Sequence, residues 1–253
     1  YGEGLDWVLR NYSYKVHGIL NGIDMDGWNP ETDEYLDKNY NVNNYKEGKD
    51  ANKLAMQEAM DLERNPDKPM ITMVSRLVDQ KGLDLILRVI DEILEEDCQF
   101  ILLGTGDSYY ENELRQVEAR HHGNMRSLIM YSNDMSHRLY AAGDIFLMPS
   151  IFEPCGLSQM IAMRYGNAPL VRATGGLKDT VEPYNVETGE GNGFSFPNIN
   201  AHDMLFLLKD AMGLYRDHKD HWDNIVRHGM TGDYSWEKSA KRYAELYQNL
   251  LES

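Results

Sequence analysis

Cysteine, positive charge and long apolar runs are all scarce in this 253-residue sequence. Its two cysteines, Cys98 and Cys155, are too few for a disulfide framework or a cysteine-rich zinc site, which predicts a reducing, cytoplasmic location. Lysine and arginine number 25 against 41 acidic residues, so the formal net charge is −16, and a nucleic-acid partner is not expected. No run of about 18 apolar residues occurs, so no membrane-spanning helix is predicted.

The pattern of hydrophobic and polar residues differs between parts of the chain. Residues 30–69 are polar, with one helical pattern over 52–62, and are predicted to form a long connection. From Met70 onward, short apolar runs without period-two alternation are separated by helical patterns. Such a pattern predicts an α/β fold with a doubly wound parallel sheet and helices on both faces. We therefore predict three parts, namely a leading segment 1–69, a Rossmann-like domain 70–234 and a C-terminal helix 235–253.

The individual elements follow from the same periodicity. Strands are predicted over 70–75, 100–103, 127–131, 145–148, 169–171 and 193–196. Helices are predicted over 83–94, 109–120, 136–142 and 157–165, and two or three more over 201–253. Ligands of such sheets bind beyond the carboxyl ends of the strands, so the residues just after each strand are the candidates for function.

The turn after the first predicted strand concentrates positive charge in an acidic chain. It reads Ser75-Arg76-Leu77-Val78-Asp79-Gln80-Lys81-Gly82. Arginine offers a planar fork of donors, lysine a point charge, and the following helix adds exposed N–H groups, so the turn suits a diphosphate. The alternative is that Arg76 and Lys81 are ordinary surface cations paired with nearby acids, and spacing alone does not separate the two.

Three other strand ends carry weaker indications. Gly104-Thr105-Gly106 lacks the third glycine of a dinucleotide-binding fingerprint, so a tight turn is the favoured interpretation. Tyr131 could stack on a nucleobase, although a tyrosine at the edge of the core is favoured from sequence alone. The paired glycines after Thr174 could allow a ligand to approach closely, and a plain turn explains them too.

The most informative segment is 149–159, which joins a predicted strand to a predicted helix. Glu153 precedes a proline, which biases it away from helical conformation. Gly156 and Leu157 offer backbone N–H groups at the start of the helix, and a carboxylate beside free amides could bind the hydroxyl groups of a sugar. Cys155 is predicted to be a packed small residue and not a nucleophile, because no histidine lies near it in sequence.

A metal site is not predicted. Asp24-Met25-Asp26 is a D-x-D pattern, which holds a metal in some sugar-transferring enzymes, but it follows the turn residues Asn21-Gly22-Ile23. The sequence therefore favours a turn at this position. The eight histidines form no metal-binding pattern either.

Together these loops resemble bacterial glycogen synthases and plant starch synthases, and the resemblance covers roughly residues 4–250. The motifs that carry it are Arg76 with Lys81-Gly82-Leu83-Asp84, Gly104-Thr105-Gly106-Asp107, Glu153-Pro154-Cys155-Gly156-Leu157, Thr174-Gly175-Gly176-Leu177, and, upstream, Gly18-Ile19-Leu20-Asn21-Gly22-Ile23-Asp24 with Trp28-Asn29-Pro30.

The resemblance implies the carboxyl-terminal, donor-binding domain of a two-domain GT-B enzyme of glycosyltransferase family 5. Such an enzyme transfers glucose from ADP-glucose to the non-reducing end of an α-1,4-glucan, retains the anomeric configuration, and needs neither metal nor cofactor. By matched position, Arg76 and Lys81 would hold the distal phosphate and stabilise the departing ADP. Glu153 would bind the glucosyl hydroxyls or support the oxocarbenium-like transition state.

The same resemblance implies further contacts with the nucleotide sugar. Tyr131 would stack on adenine and Asn21 would face the substrate cleft. The remaining expected binding residues are Gly104, Gly106, Cys155, Gly156, Leu157, Ser158, Thr174 and Gly175, of which Gly156, Leu157 and Ser158 would supply donors to sugar and phosphate.

The sequence departs from the wider family in two respects. Many related retaining transferases carry a second glutamate eight residues after the first, where this chain has Ile161, and starch-type synthases lack it as well. The family's amino-terminal domain, with its Lys-x-Gly-Gly-Leu motif, is not found, so that domain is an expected partner and the isolated chain is expected to be inactive. The alternatives are a GT-B transferase that uses another nucleotide sugar, and a non-catalytic nucleotide- or glucan-binding module.

Overall fold

The computed structural model describes residues 4–252 and contains, within them, one six-stranded sheet. All pairings are parallel and the order is β3-β2-β1-β4-β5-β6. The strands are β1 (Met70–Val74), β2 (Gln99–Leu103), β3 (Met125–Leu128), β4 (Ile145–Met148), β5 (Ala168–Arg172) and β6 (Phe194–Phe196). This order confirms the predicted doubly wound sheet.

Ten α-helices accompany the sheet in the described part of the chain. They are α1 (Asp6–Asn11), α2 (Tyr45–Ala59), α3 (Leu83–Leu94), α4 (Ser108–Arg120), α5 (Asn133–Ala142), α6 (Ser158–Arg164), α7 (Gly175–Thr180), α8 (Ala201–Asp217), α9 (Lys219–Thr231) and α10 (Trp236–Glu252). On one face α3 packs against α4 and α8, and on the other α2 packs against α5.

The strands are continuous apolar runs in the sequence because both of their faces are buried, as the alternate residues of β2 show. Phe100 and Leu102 join the larger hydrophobic cluster, whereas Ile101 and Leu103 join a second cluster with Met56 of α2. Since both faces of the sheet are covered, every position of β2 is buried and no polar alternation is needed.

The amino-terminal half of the predicted connection 30–69 is irregular, but its helix is longer than predicted. α2 begins at Tyr45, seven residues before the predicted start at position 52. The reason is that its inner face buries the polar side chains of Lys49, Asn52 and Lys53, which hide the apolar period. Lys53 Nζ lies 2.6 Å from Asp144 Oδ2 at the start of β4, so α2 is fixed to the sheet by charge as well as by packing.

The other predicted strands and helices between residues 70 and 196 agree with the structure to within one residue at each end, except for β3 and the start of α5. β3 spans Met125–Leu128 and not 127–131, because the chain leaves the sheet early and Ser132 caps α5 through its hydroxyl, 3.2 Å from the Met135 amide. The short helix α7 is not among the predicted helices, because the adjacent glycines that begin it are poor helix formers.

Segment 24–40 is attached to α5 and α6 by a buried polar cluster. Asp33 Oδ2 lies 2.7 Å from His137 Nδ1 and accepts a hydrogen bond of 2.5 Å from the Tyr165 hydroxyl. The Trp28 ring stacks on His137 with centroids 4.0 Å apart. These polar side chains can be buried because the Asp33 carboxylate is hydrogen-bonded to His137 and Tyr165, and because the Trp28 ring covers His137.

The predicted turn at Asp24 is confirmed, because Asp24 Oδ1 accepts hydrogen bonds of 3.0 Å from the amides of both Asp26 and Gly27. Within residues 4–252 no group of three or more His, Cys, Asp or Glu side chains is arranged to hold a metal ion.

The last helix lies on the outside of the domain. Among the described residues of α10, only Ser239 is buried, and it donates a 2.7 Å hydrogen bond to Leu20 O. Its large side chains Tyr243, Tyr247 and Leu250 are 38%, 60% and 64% exposed. No helix in the described part of the chain is long and apolar enough to cross a membrane.

Candidate active site

The site lies between β1 and β4, at the point where the strand order of the sheet reverses. Successive connections leave these neighbouring strands on opposite faces of the sheet, so a crevice opens beyond their carboxyl ends. The loop after β1 meets the loop after β4 there. The Ile151 amide donates to Gln80 O at 2.8 Å, and Gln80 Nε2 donates to Phe152 O at 2.8 Å. These contacts bring two of the predicted functional segments together.

Lys81 and Glu153 form an ion pair between these two loops, beyond the carboxyl ends of β1 and β4. Lys81 Nζ lies 2.5 Å from Glu153 Oε2, and the two side chains are 13% and 11% exposed. The Ser150 hydroxyl donates to the same carboxylate oxygen at 3.3 Å. A pair this far from water costs desolvation energy, and the close charge-assisted contact offsets that cost. Since an ammonium has three donors, Lys81 can still bind a second anion.

Arg76 differs from Lys81 in having no ion pair. Its side chain is exposed and makes no hydrogen bond or salt bridge to any described residue between 4 and 252. Of the two interpretations of this turn, pairing with a nearby acid therefore applies to Lys81 and not to Arg76. The Arg76 guanidinium keeps its full set of donors for an anion beyond the sheet.

A third loop, after β5, completes the crevice wall. The Gly176 amide donates to Glu153 O at 3.0 Å and to Pro154 O at 3.2 Å. Gly175 has φ +45°, in the left-handed region, and a side chain there would press on the Glu153 carbonyl. Thr174 stands at the N-cap position of α7. Gly175 and Gly176, which could allow a ligand to approach, thus lie against the backbone of the Glu153 loop.

The Gly104–Gly106 segment serves the neighbouring loop. The Leu77 amide donates to Thr105 O at 2.9 Å, and the Asp107 amide donates to Leu77 O at 2.7 Å. A side chain at Gly106 would collide with the Leu77 backbone. This contact gives the two glycines a structural reason and supports the tight-turn interpretation, while their part in nucleotide binding stays a prediction.

Tyr131 and Asn21 lie apart from the Lys81–Glu153 pair. Tyr131 follows β3 and is 89% exposed, so the interpretation as a core-edge tyrosine is wrong and the ring is open to stacking by a ligand. Asn21 is exposed beside a surface cavity of about 630 Å³ that Met160 and Thr180 also line. Neither makes a hydrogen bond with Lys81 or Glu153, and the predicted roles of both stay predictions.

The end of the Glu153 loop offers several backbone donors. The amides of Glu153, Cys155, Gly156 and Leu157 donate to no other residue in the described range 4–252. Ser158 begins α6, as expected for a residue near the site. Cys155 is half-buried and packs against the core, which agrees with its interpretation as a packed residue.

Three functional candidates, Gln80, Gln159 and Arg172, were not predicted, although Gln80 and Gln159 lie within the segments 75–82 and 149–159. Arg172 is 7% exposed at the end of β5, and Gln159 is fully buried in α6. Their side chains, with that of Gln80, donate to the Glu153 loop. A charged residue that ends an otherwise apolar strand is the one indication that could have identified Arg172.

The sequence profile described as "Glycosyl transferases group 1" matches residues 57–250. The chain belongs to the group 1 glycosyl transferases. This glycosyl transferase is 52% identical over 250 residues to glycogen synthase of Lachnospira eligens and 50% identical over 252 residues to glycogen synthase of Bacillus cereus. These alignments cover 99% and 100% of the chain but 52% of each relative, so the chain spans about half the length of the curated relatives it matches.

A solved structure agrees with the sequence relatives. The catalytic domain of starch synthase IV from Arabidopsis thaliana, bound to ADP and acarbose, superimposes on this glycosyl transferase with a TM-score of 0.92 at 39% identity. The match covers the whole chain and 52% of the plant protein. The predicted resemblance to glycogen and starch synthases, and the GT-B type of fold, are confirmed.

Proposed function

We propose that this chain is the donor-binding half of a glycogen or starch synthase, which transfers glucose from ADP-glucose to the non-reducing end of an α-1,4-glucan with retention of configuration. The observation that carries the proposal is the Lys81–Glu153 pair at the crevice of the sheet, with the unpaired Arg76 on the same turn. The similarity to glycogen synthases over the whole chain, and to a starch synthase bound to ADP, supports it.

Arg76 and Lys81 would stabilise the departing diphosphate. Cleavage of the bond between sugar and phosphate leaves negative charge on the phosphate oxygens, and cations already in position stabilise that charge without reorganisation. Arg76 supplies a planar fork and Lys81 a point charge. In the proposal, these two side chains neutralise the negative charge of the leaving diphosphate, and neither a metal nor a cofactor is included.

Glu153 would act on the sugar. Its carboxylate is held between Lys81 and Ser150 and is largely shielded from water. In this position it can accept hydrogen bonds from glucosyl hydroxyls and stabilise positive charge that develops on the ring. The acceptor hydroxyl would attack from the face that the diphosphate leaves, which retains the anomeric configuration.

The proposal includes partners outside the chain. An α-glucan supplies the acceptor hydroxyl, and a second domain, as in the two-domain enzymes that the loops resemble, supplies the opposite wall of the cleft. A cytoplasmic location agrees with the low cysteine content and stays a prediction.

Calorimetry on this chain tests the proposal directly. We expect ADP to bind, UDP and GDP to bind more weakly, and adenosine to bind at least about tenfold more weakly than ADP, because charge-assisted hydrogen bonds contribute roughly 1.5–3 kcal/mol each. Preference for UDP or GDP would indicate a transferase with another donor. Absence of any nucleotide binding, with binding of maltooligosaccharide, would indicate a non-catalytic glucan-binding module.

A further inference from the structure

The loop that carries Glu153 uses all of its backbone acceptors. Each of the seven consecutive carbonyls from Ser150 to Gly156 accepts a hydrogen bond from a group outside those residues. Buried carbonyls need partners, but an irregular loop has no ladder to supply them. Here four residues supply all seven bonds, and three of them use side chains.

Arg172 and Gln80 hold the part of the loop before Glu153. Arg172 Nε donates to Ser150 O at 2.9 Å, and its Nη2 donates to Ile151 O. Gln80 Nε2 donates to Phe152 O at 2.8 Å from the turn after β1. Arg172 has no salt bridge to any described residue in 4–252, so its buried charge is compensated by backbone carbonyls alone.

Gln159 holds the part of the loop after Glu153. Its Nε2 donates to Gly156 O at 2.9 Å and to Cys155 O at 3.2 Å, and it also contacts the Thr180 hydroxyl at 3.0 Å. The side chain is fully buried. Its Oε1 has no hydrogen-bond partner among the described residues, so the amide is present at an energetic cost. That cost is unexpected for a side chain that only fills the core.

We propose that Gln80, Arg172 and Gln159 are positioning residues, which fix the loop so that Glu153 meets the sugar of the donor. The inference rests on the proposed function. Glu153 stands at the centre of the seven carbonyls, with three side-chain bonds before it and two after it. A shift of about 1 Å in a reacting group lowers a rate strongly, so a loop without regular structure needs such external support.

The thiol of Cys155 reports on the loop without any ligand. Cys155 lies in the loop and is half-buried, whereas Cys98 is fully buried and burial raises the pKa of its thiol to about 12. Labelling of native protein with a thiol reagent therefore follows Cys155. Gln159→Met keeps the volume of the side chain but removes both bonds to the loop. Two lost hydrogen bonds should raise the rate of Cys155 labelling roughly fivefold to a hundredfold through local opening.

Thr180→Val is the matched control, because it removes the third partner of Gln159 and leaves both loop bonds in place. Labelling of this control should match that of the parent. Gln80→Met is a second test variant on a half-buried turn, where one lost bond should raise the rate by about twofold to tenfold. Its backbone contact with Ile151 remains.

Nucleotide binding then links the loop to the donor. In Gln159→Met we expect ADP-glucose affinity to fall more than ADP affinity, since Glu153 of the loop contacts the sugar whereas the two cations that bind the distal phosphate, Arg76 and Lys81, lie on the β1 turn. Unchanged labelling in both Met variants would overturn the positioning role. Equal loss of ADP and ADP-glucose binding would overturn it as well, because the effect would then not be specific to the sugar. A parental chain that binds neither nucleotide would defeat the proposed function, and the labelling rates would still decide whether these side chains hold the loop.

Discussion

At the scale of single residues, the two cations of the β1 turn have different surroundings. Lys81 is largely buried against Glu153, whereas Arg76 is exposed and unpaired among the described residues. Because Arg76 has no acidic partner among residues 4–252, its guanidinium remains available to an anion beyond the strand ends. The sequence indicated both cations but could not indicate which of them had a partner.

Substitution of Arg76 should therefore affect phosphate binding and little else. We expect Arg76→Ala to weaken ADP binding about tenfold to a hundredfold, since it removes charge-assisted hydrogen bonds of roughly 1.5–3 kcal/mol each. Adenosine binding and thermal stability should stay at parental values. Arg88→Ala removes the same charge from the exposed side of α3 and should leave ADP affinity unchanged in calorimetry. Parental ADP affinity in Arg76→Ala would refute the assignment.

Substitution of Glu153 should not weaken ADP binding, in contrast to substitution of Arg76. Glu153→Gln removes the anion beside Lys81 and leaves the ammonium free for phosphate. We expect ADP affinity to be equal to or up to about tenfold higher than that of the parent, while ADP-glucose gains less from its glucosyl group. The two ligands can be compared by calorimetry on one preparation. A large loss of ADP affinity would show that Glu153 is a structural loop residue.

At the scale of elements, the buried Asp33 cluster makes stability depend on pH. Burial raises the pKa of Asp33, but hydrogen bonds from His137 and Tyr165 outweigh it, and the pKa lies below its usual value of 3.8. A carboxyl whose folded pKa is lowered stabilises the fold above its unfolded pKa and loses that contribution as the pH falls through the folded value. The free energy of unfolding should therefore decrease from about pH 4 downward.

Asp33→Asn tests this dependence. We expect the variant to be less stable than the parent near neutral pH by roughly 1–3 kcal/mol, and the difference to shrink as the pH falls below about 4. Urea unfolding across that range measures both effects. Asp26→Asn changes an exposed carboxyl in the neighbouring turn and should keep the parental pH profile. A constant difference between Asp33→Asn and the parent at every pH would argue against the linkage.

The bounds of helices and strands could be predicted where the buried residues are hydrophobic. They could not be predicted where polar residues are buried or where glycines begin a helix. α3 and β4 were predicted at their observed bounds because their inner faces are purely apolar. The start of α2 was missed because buried lysines and asparagine fill its inner face, and α7 was missed because it begins with two glycines. The same limit applies to the site. Chemistry at the strand ends indicated Lys81 and Glu153, but Gln80 and Arg172, which also hold the Glu153 loop, come from distant positions that only the fold brings together.

At the scale of the whole molecule, residues 4–252 form a complete core and one wall of the proposed cleft. The six-stranded sheet is covered on both faces, so the chain is expected to fold by itself. Beyond the strand ends, the Lys81–Glu153 pair lies in a crevice formed by loops from one side alone. The aromatic and aliphatic residues of α10 lie exposed outside this core.

This geometry leads to the prediction that the chain alone binds ADP weakly and transfers no glucose. Retaining transfer requires the acceptor hydroxyl and the departing diphosphate to be held on one face of the sugar, with water excluded. Residues 4–252 supply donors for the diphosphate and a carboxylate for the sugar, but no second wall faces them. Radiolabelled ADP-glucose with glycogen as acceptor measures the outcome. We expect no label in glycogen above that seen with Glu153→Gln, and sustained incorporation by the parental chain alone would show that one wall is sufficient.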